Sequence, residues 1–511
     1  MRQKQQNLQL NKFEHLKLRQ KIKLPIKVKF YSFFKFLKLG VQYTKTLSLN
    51  SIIKNKILLN NLIEKYNIPG PRYTSYPTVP FWKNNPLKIK DWINTISKNS
   101  KTFNSNELSI YIHLPYCESL CTFCGCHKRI TKNHAVETPY IDSVIKEWEL
   151  YRKVFNFEPN IRELHFGGGT PTFFQPNQLI RLVSSIFNKS SINPNNTELS
   201  FEAHPNNTTE EHLKKLNEFG FNRLSLGIQD YSPIVQKAIN RIQPFENVKH
   251  VHNKAKAIGY KSISHDLVFG LPKQKMEDII ETVSKTIQLK PDRISLYSYA
   301  HVPWIKGNGQ RGFNESDLPK DSTKRALYEK AKQMLESEGY IEIGMDHFAL
   351  NHDSLTKAFK AKKLHRNFMG YTTQKTNILI GLGASAISDS WFGFAQNEKS
   401  IEKYMDIVKS KKIPIFRGHI LNELDIEMRK HILNLMCHFE TEFNSNSQFR
   451  EKHNKIIDRL NGMIKDDLVV VNEDKITLKQ KGIPFVRNCC MAFDMDLVNK
   501  KISKNMFSKT I

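Results

Sequence analysis

The chain has 511 residues, of which 39% are hydrophobic and 25% charged, so it is long enough to bury a large core and at least one smaller one. Its 78 Lys and Arg residues outnumber its 49 Asp and Glu residues, for a formal net charge of +29. It has no run of about 18 apolar residues, which excludes a membrane-spanning helix, and the crowding of four of its seven cysteines into one loop excludes a spaced disulfide framework.

The first 60 residues differ in composition from the remainder. They contain fourteen Lys and Arg residues and a single acid, Glu14, whereas residues 61–511 contain 64 basic and 48 acidic residues, so the net charges are +13 and +16. We expect residues 1–60 to be a basic extension without regular structure. The alternatives are an organelle presequence and an arm that touches a membrane or nucleic acid. A cytoplasmic location is expected, with organelle targeting by this segment as the alternative.

Short β-branched and aromatic runs alternate with amphipathic stretches from residue 106 to residue 345. The predicted strands are 109–115, 161–169, 198–205, 221–230, 262–272 and 293–302. The predicted helices are 136–154, 178–188, 208–219, 247–258 and 276–289. This alternation is typical of a parallel sheet with helices outside it, and six repeats indicate either an open doubly wound sheet or a partial barrel.

Chemically distinctive residues mark the end of each predicted strand. They are the cysteine cluster after 115, GGGTP at 167–171, Glu202, Gln229, Asp266 and YAH at 299–301. Because the carboxyl ends of parallel strands meet at one edge of a sheet, we expect all six ends to face one pocket.

Residues 346–511 are predicted to form a mainly helical C-terminal domain. Helical stretches at 400–410, 424–440 and 446–464 precede two strands within 467–482, joined at NED, an order that resembles a winged-helix module. Nucleic-acid binding is therefore one alternative function. The interspersed Lys and Glu residues of 400–465 are more typical of a solvated helix face than of a phosphate-binding track.

Four cysteines, Cys117, Cys121, Cys124 and Cys126, lie in a Cys-x3-Cys-x2-Cys-x-Cys loop. Zinc usually draws on two separated pairs of cysteines, and no second pair follows here. An iron–sulfur cluster suits the loop better. Full ligation of a [4Fe–4S] cluster takes four thiolates, so a loop that supplies three leaves one iron open to another ligand. The spacing alone does not identify which three thiols bind.

The three-cysteine spacing after a first strand, followed by GGGTP after the second, resembles the radical S-adenosylmethionine (SAM) superfamily. The resemblance implies a partial (β/α)6 barrel, a [4Fe–4S] cluster held by Cys117, Cys121 and Cys124, and SAM bound to the open iron. It implies that Cys126 is not a ligand.

Several stretches resemble one family within that superfamily, the oxygen-independent coproporphyrinogen III dehydrogenases, also called oxidases. They are PGPRYTSYPT (69–78), YCESLCTFCGC (116–126), HFGGGTPT (165–172), LSLGIQD (224–230), INRIQ (239–243), HDLVFGLPKQ (265–274), KLHRNFMGYTTQ (363–374), GLGASAIS (381–388) and MFSKTI (506–511). The resemblance covers the chain from about residue 60 onward and implies that residues 61–105 form an arm that covers the substrate.

Two SAM molecules are implied by this resemblance. The residues expected to contact the SAM on the cluster are Tyr111, Gly168, Glu202, Ala300 and Ile387, and those expected to contact the second SAM are Phe123, Gly169, Thr170, Gln229, Arg241 and Asp266. Arginine pairs with carboxylates in a fork geometry, so Arg72 and Arg366 are candidates to hold the carboxylates of the substrate. Tyr73 and Tyr76 either cover the tetrapyrrole or anchor the arm to the barrel.

The implied reaction is the oxidative decarboxylation of two propionate side chains of coproporphyrinogen III to vinyl groups, which gives protoporphyrinogen IX in haem biosynthesis. A radical formed on SAM removes a hydrogen atom from the propionate, so no side chain is expected to act as nucleophile or general base. The implied partner is an electron donor such as a flavodoxin or ferredoxin, and a monomer that binds no nucleic acid is expected. The alternative is a haem-binding, chaperone-like paralogue with the same barrel and cysteine loop.

The stretch GLGASA at 381–386 mimics the glycine pattern of dinucleotide-binding folds. No βαβ pattern follows it, and no acidic residue ends a second strand about 20 positions further on. The sequence therefore predicts a tight turn that lines the SAM pocket rather than a nicotinamide site.

Overall fold

A computed structural model gives the structure of the chain and describes residues 61–188, 190–192, 196–304, 309–444, 448–499 and 506–510. The chain divides into two compact units, Met1–Lys65 and Tyr66–Ile511, and all features below lie in the second. The basic extension predicted over residues 1–60 lies outside the described residues. Within the described residues, no helix is both long enough and apolar enough to cross a membrane.

Helices and strands alternate through most of the described chain. The α-helices are α1 (Ile89–Phe103), α2 (Glu137–Val154), α3 (Pro176–Phe187), α4 (Glu210–Phe219), α5 (Pro233–Ala238), α6 (Phe245–Ile258), α7 (Met276–Leu289), α8 (Asp321–Ser337), α9 (Ser354–Lys360), α10 (Ile401–Lys409), α11 (Glu423–His438), α12 (Arg450–Lys465), α13 (Val486–Met491) and α14 (Met495–Asn499). The strands are β1 (Glu107–Leu114), β2 (Tyr116–Cys117), β3 (Arg129–Ile130), β4 (Asn160–Gly168), β5 (Ser191–Ile192), β6 (Glu198–Ala203), β7 (Arg223–Gln229), β8 (Ser262–Phe269), β9 (Arg293–Ser298), β10 (Tyr340–Gly344), β11 (His347–Leu350), β12 (His365–Asn367), β13 (Gly370–Thr372), β14 (Leu379–Leu382), β15 (Ile387–Asp389), β16 (Gly393–Asn397), β17 (Ile415–Ile420), β18 (Glu440–Glu442), β19 (Val469–Asn472) and β20 (Lys475–Leu478).

Six neighbouring parallel strands, in the order β9-β8-β7-β6-β4-β1, form the centre of the main sheet. Helices α2, α3, α4, α6 and α7 connect them along the chain. Strand β14 continues the sheet in parallel beyond β1, and antiparallel strands extend both edges. The partial (β/α)6 barrel expected from the sequence is confirmed.

Alternate residues of the parallel strands face different surroundings, as the two-residue period of a strand requires. One face packs with the helices in the main hydrophobic cluster. Its members in β1 are Leu108, Ile110, Ile112 and Leu114, all fully buried. The other face is polar: Ser109 donates to Glu163 on the next strand at 3.0 Å. In the same way, Ser225 donates to Asp266 at 2.7 Å. The barrel interior is therefore lined by hydrogen-bonding groups.

The chain beyond residue 345 contributes to two sheets. Strand β14 pairs with β1 from Ser109–Leu379 to Ile112–Leu382, and β15, β16 and β17 follow it in the main sheet. Strands β18, β20 and β19 form a separate antiparallel sheet, in which β19 and β20 are the two strands predicted within 467–482. A division of the chain at residue 345 therefore separates strands that share one sheet.

The segment at 69–78 is held by the C-terminal part of the chain. Arg487 donates to two of its backbone carbonyls. Tyr73 donates to the carboxylate of Asp494 at 3.1 Å, and the hydroxyl of Tyr76 accepts from the backbone N–H of Met495 at 3.1 Å. Both tyrosines are 2% exposed. They therefore anchor this segment, to the C-terminal region rather than to the barrel.

In the turn after β14, the backbone N–H groups donate hydrogen bonds to other residues of the protein. Gly383 donates to the carboxylate of Glu147 at 2.8 Å, and Ala384 donates to the hydroxyl of Tyr140 at 2.9 Å. Gly383 has a φ of +98°, and a Cβ there would lie 2.6 Å from the carbonyl oxygen of His113. An antiparallel strand follows instead of a helix. The turn therefore offers neither these N–H groups nor a helix N-terminus to a phosphate, and it is not a dinucleotide site.

Replacing Tyr404 by Phe is expected to destabilise the protein more at about pH 8 than at about pH 5.5. Tyr404 donates to Glu147 at 2.6 Å, and burial raises the pKa of Glu147 to about 7. Above that pH the acceptor is charged, and such a bond contributes about 1.5–3 kcal/mol against about 1 kcal/mol for a neutral pair. The pKa of Glu147 lies above the ordinary 4.5, so this residue also makes its own pH-dependent contribution to the free energy of unfolding. That contribution is fully present below pH 4.5 and is lost as pH rises through 7.

Urea denaturation at the two pH values measures this difference. Tyr260→Phe is the matched control, because Tyr260 donates from a buried hydroxyl to the neutral carbonyl of Leu213 at 3.0 Å. Its cost should be the same at both pH values. A cost for Tyr404→Phe that does not change with pH would contradict the prediction.

Candidate functional site

An open cavity with about 850 Å³ of empty space lies at the carboxyl edge of the parallel strands. The cysteine loop after β1 and the ends of β4, β6, β7 and β8 line it. The sixth strand end, at 299–301, lines a different cavity of about 900 Å³. Five of the six strand ends therefore line one cavity, and the last lines the other.

Most of the predicted site residues surround this cavity. They are Cys117, Cys121, Phe123, Cys124, Gly168, Gly169, Thr170, Glu202, Gln229, Arg241 and Asp266. Five others do not line it: Tyr111, Ala300, Ile387, Arg72 and Arg366. The ring of Tyr111 stacks on His165 at a centroid distance of 6.1 Å. The carbonyls of Ala300 and Phe123 both accept from Gln310, at 2.8 and 3.2 Å, which places Ala300 beside the cysteine loop.

The end of β1 is held by donors from several segments. The carbonyl groups of residues 113–117 each accept one hydrogen bond, at 2.8 to 3.0 Å. In order, the donors are the hydroxyl of Tyr140 and the backbone N–H groups of Gly169, Arg129, Thr170 and Thr131. The first cysteine therefore has a fixed position relative to the glycine loop.

Hydrogen-bond donors and cations lie beside the cysteines. The hydroxyl of Thr170 donates to Cys117 Sγ at 3.3 Å, and Arg241 Nη1 lies 3.7 Å from Cys121 Sγ. Lys128 Nζ donates to the carbonyls of Cys124 and Cys126, both at 3.3 Å. Positive charge next to a thiol favours the thiolate, which is the form that binds metal.

Cys124 and Cys126 differ in their tendency to ionise. A hydrogen bond from the Cys126 thiol lowers the pKa of Cys124 to about 6, and the same interaction raises the pKa of Cys126. Burial raises the pKa of Cys117 to about 11, although the hydrogen bond from Thr170 opposes this effect. Cys124 therefore ionises more readily than Cys126, which supports it as a donor.

The loop suits a cluster better than a single metal ion. Ligands of one tetrahedral zinc stand about 3.8 Å apart when the Zn–S bonds are about 2.3 Å long. Among the described residues, the cysteines do not form a group of three whose ligand atoms all lie within 4.8 Å of one another. The thiolate ligands of a [4Fe–4S] cluster bind separate irons and do not need to lie that close together. The three predicted ligands Cys117, Cys121 and Cys124 therefore fit that cofactor.

Two glycines bring backbone close to the cavity. Gly168 has a φ of +117°, and a Cβ there would lie 2.8 Å from the ring of His113. A Cβ on Gly169 would lie 2.7 Å from the backbone carbonyl of Pro115. Any larger residue would push the glycine loop away from the cysteine loop, so this close approach requires glycine.

Glu202 and Asp266 place two carboxylates on the polar face of the barrel. Glu202 accepts from the N–H of Gly168 at 3.2 Å and lies 3.5 Å from His165 Nε2. Asp266 accepts from Ser225 at 2.7 Å, and burial, reinforced by the charge of Glu202, raises the pKa of Asp266 to about 6. Both residues lie within strands, so Asp266 is not a helix cap. Both can accept hydrogen bonds from an ammonium or a ribose hydroxyl.

Sequence reasoning did not assign His113, Lys128 or His204 to the site. His113 lies between the Tyr111 hydroxyl at 3.1 Å and the carbonyl of residue 127 at 2.9 Å, and burial lowers its pKa to about 4. His204 lines the cavity, and burial next to Arg241 lowers its pKa to about 3. Both imidazoles are therefore neutral near pH 7. Their signal in the sequence is positional, because His113 continues the polar alternation of β1 and His204 follows the end of β6.

Comparisons with known proteins identify relatives of this chain. A family model described as the radical SAM superfamily matches residues 111–285. Oxygen-independent coproporphyrinogen III oxidases from Pseudomonas aeruginosa and Escherichia coli are each 36% identical to this chain, over 458 and 455 residues respectively. Each match covers 88% of this chain and 98% of the relative. The solved structure of coproporphyrinogen III oxidase (HemN) from Escherichia coli, a radical SAM enzyme, is 35% identical, with a TM-score of 0.78 over 83% of this chain and 98% of that chain.

Replacing Cys124 by Ala is expected to abolish cluster binding, whereas Cys126→Ala should retain the cluster. Cys124 is one of the three predicted ligands and ionises more readily than Cys126, which acts as its hydrogen-bond donor. Iron and acid-labile sulfide per chain, measured after anaerobic reconstitution, check both variants. Equal loss of iron from the two variants would show that the ligand assignment is wrong.

Proposed function

The chain belongs to the family of oxygen-independent coproporphyrinogen III oxidases. On that basis we propose that it converts two propionate side chains of coproporphyrinogen III to vinyl groups. The product is protoporphyrinogen IX, an intermediate of haem biosynthesis. The chain is a radical SAM oxidoreductase. The observation that carries the proposal is that the three predicted cluster ligands, the glycine loop and two carboxylates surround one cavity.

The side chains around the cavity bind and orient rather than react. When bound together, a [4Fe–4S] cluster and SAM supply a reducing electron and a carbon radical that removes hydrogen from an unactivated C–H bond. Thr170 donates a hydrogen bond to Cys117 Sγ, Arg241 lies beside Cys121 Sγ, and the fixed end of β1 holds the loop. Each decarboxylation releases carbon dioxide and transfers one electron to an electron acceptor.

Turnover under strictly anaerobic conditions tests the proposal. The reconstituted protein, supplied with SAM, a reductant and coproporphyrinogen III, should form protoporphyrinogen IX and 5′-deoxyadenosine. The alternative, a haem-binding paralogue, would bind haem without consuming coproporphyrinogen III. Cleavage of SAM that leaves coproporphyrinogen III unchanged would overturn the proposed function.

A second SAM molecule is part of the proposal. All six residues expected to contact it line the same cavity as the cysteines: Phe123, Gly169, Thr170, Gln229, Arg241 and Asp266. Arg241 is held by the Gly227 carbonyl at 2.6 Å and by Gln243 at 3.1 Å, which leaves the charge of its guanidinium beside the cavity. That charge supports pairing with a methionyl carboxylate.

Arg366 supports the binding of a substrate propionate. It is 6% exposed, and its Nε and Nη1 atoms have no hydrogen-bond partner among the described residues. Its guanidinium lies over the ring of Tyr371, 4.6 Å from the centroid. A buried guanidinium without an acceptor is costly, and a carboxylate satisfies it in fork geometry.

Arg72 faces the same region as Arg366. Burial is the main cause that lowers the pKa of His347 to about 4, and the positive charges of Arg366, Arg293 and Arg72 act in the same direction. Arg72 donates to the carbonyl of Ser298 at 3.0 Å and lies 3.7 Å from a carboxylate oxygen of Asp346. It is therefore partly neutralised, and Arg366 is the stronger of the two candidates for a propionate.

An electron donor such as a flavodoxin or ferredoxin is the proposed partner of a monomeric enzyme. Leu120, inside the cysteine loop, is 38% exposed, and Ile242, next to Arg241, is 60% exposed. Asn240 joins the two segments by donating to the Leu120 carbonyl at 2.8 Å. Exposed apolar side chains beside the cluster ligands suit a protein that docks to deliver an electron.

Arg366→Gln is expected to raise the KM for coproporphyrinogen III by about tenfold or more, because a charge-assisted pair with a propionate is lost. Iron content and SAM cleavage should stay unchanged. The thermal midpoint should stay the same or rise, since the variant removes an unpaired buried charge. Steady-state kinetics and differential scanning fluorimetry measure these effects.

Arg429→Gln is the matched control. Arg429 is also 6% exposed and lies over an aromatic ring, that of Trp391 at 4.5 Å, but it is paired with Asp389. Its loss should destabilise the protein by about 3–5 kcal/mol, and the KM should not change. An Arg366→Gln variant that loses stability in the same way and keeps its KM would assign Arg366 a structural role.

A further inference from the structure

Helices α11 and α12 bring three potential metal ligands together in the C-terminal region. Glu427 and His431 lie one helical turn apart on α11, and His453 lies near the start of α12. Their ligand atoms all lie within 4.8 Å of one another. From this arrangement we propose that Glu427, His431 and His453 bind a divalent cation, zinc in preference, at a site separate from the cysteine loop.

The distances suit one small cation. His431 Nε2 lies 3.1 Å from Glu427 Oε1, and His453 Nε2 lies 4.0 Å from the same oxygen. Ligand atoms about 2.0–2.2 Å from a tetrahedral zinc stand about 3.3–3.6 Å apart. Small rotations of the side chains bring the three atoms to those distances. The bound cation cross-links α11 to α12.

His453 provides an independent indication of a ligand. It is 3% exposed, and its Nε2 has no hydrogen-bond partner among the described residues. Its ring stacks on Phe443 with a centroid distance of 4.0 Å, which holds Nε2 toward Glu427. A buried polar atom without a partner is unfavourable, and a cation at this point supplies the missing interaction.

His431 has the second contact that metal-bound histidines usually have. Its Nδ1 lies 2.8 Å from the hydroxyl oxygen of Thr441 on β18. When Nδ1–H donates to that oxygen, the lone pair of Nε2 faces the Glu427 carboxylate, and a cation between the two acceptors stabilises them. In the other tautomer Nε2–H donates to Glu427, so the cation displaces one proton.

The charge and chemistry of the three groups favour zinc. Two imidazoles and one carboxylate are a common zinc ligand set with a fourth position open to water. The side chain of Glu427 is 21% exposed, which gives water and the ion a route from the solvent.

Zinc stoichiometry of the reconstituted holoenzyme tests the proposal. The protein with its iron–sulfur cluster in place is incubated with Zn²⁺ and passed through a gel-filtration column, and zinc and iron are measured by mass spectrometry. We expect one zinc per chain without loss of iron, and a rise in the thermal midpoint when zinc is added. His453→Gln and Glu427→Gln should each lower zinc binding at least about tenfold and abolish that rise.

His419→Gln is the matched control, because His419 is equally buried and pairs with Asp425 at 3.3 Å without a third ligand. It should bind as much zinc as the unmodified protein. Failure of the unmodified holoenzyme to bind zinc would overturn the proposal. So would full zinc binding by Glu427→Gln, a variant of nearly the same size that decides the question if His453→Gln does not fold.

Discussion

The hydrogen bonds that hold the end of strand β1 are the constraint on which the site depends. Five consecutive carbonyls, from residue 113 to residue 117, accept from the glycine loop, from residues 129 and 131 and from Tyr140 on helix α2. The same strand pairs with β4 on one side and with β14 on the other. The first residue of the cysteine loop is therefore held by β4, by β14 and by the donors to these carbonyls. These contacts, rather than contacts within the loop, position the thiols next to the glycine loop.

Much of the barrel could be predicted from the sequence because its strands and helices carry strong local periods. Observed strand and helix bounds in the barrel lie within a few residues of the predicted ones. The pairing of β14 with β1 could not be predicted, since the apolar run Leu379–Leu382 specifies a buried strand but not its neighbour. The same limit applies to residues 299–301, whose strand lies beside the others but whose end lines a different cavity.

The candidate site shows a similar division. The strand ends and the cysteine spacing predicted which residues line the cavity, because a parallel sheet brings the carboxyl ends of its strands to one edge. The difference between Cys124 and Cys126 could not be predicted, since it arises from a hydrogen bond between the two thiols. The missing partners of Arg366 also have no trace in the sequence, because they depend on what surrounds the side chain. The GLGASA turn has the glycine pattern of dinucleotide-binding folds but does not form such a site. Its backbone N–H groups donate to Glu147 and Tyr140 instead.

The anchoring of the segment at 69–78 has a consequence for synthesis on the ribosome. Its partners are Arg487, Asp494, Met495 and Lys509, the last through a strand-like contact with Pro69, and all four lie far beyond the cysteine loop along the chain. A nascent polypeptide displays its cysteine loop long before these partners emerge from the exit tunnel. Seating of the arm therefore waits until these partners have been translated, and a product terminated before residue 487 carries the thiols without the arm in place.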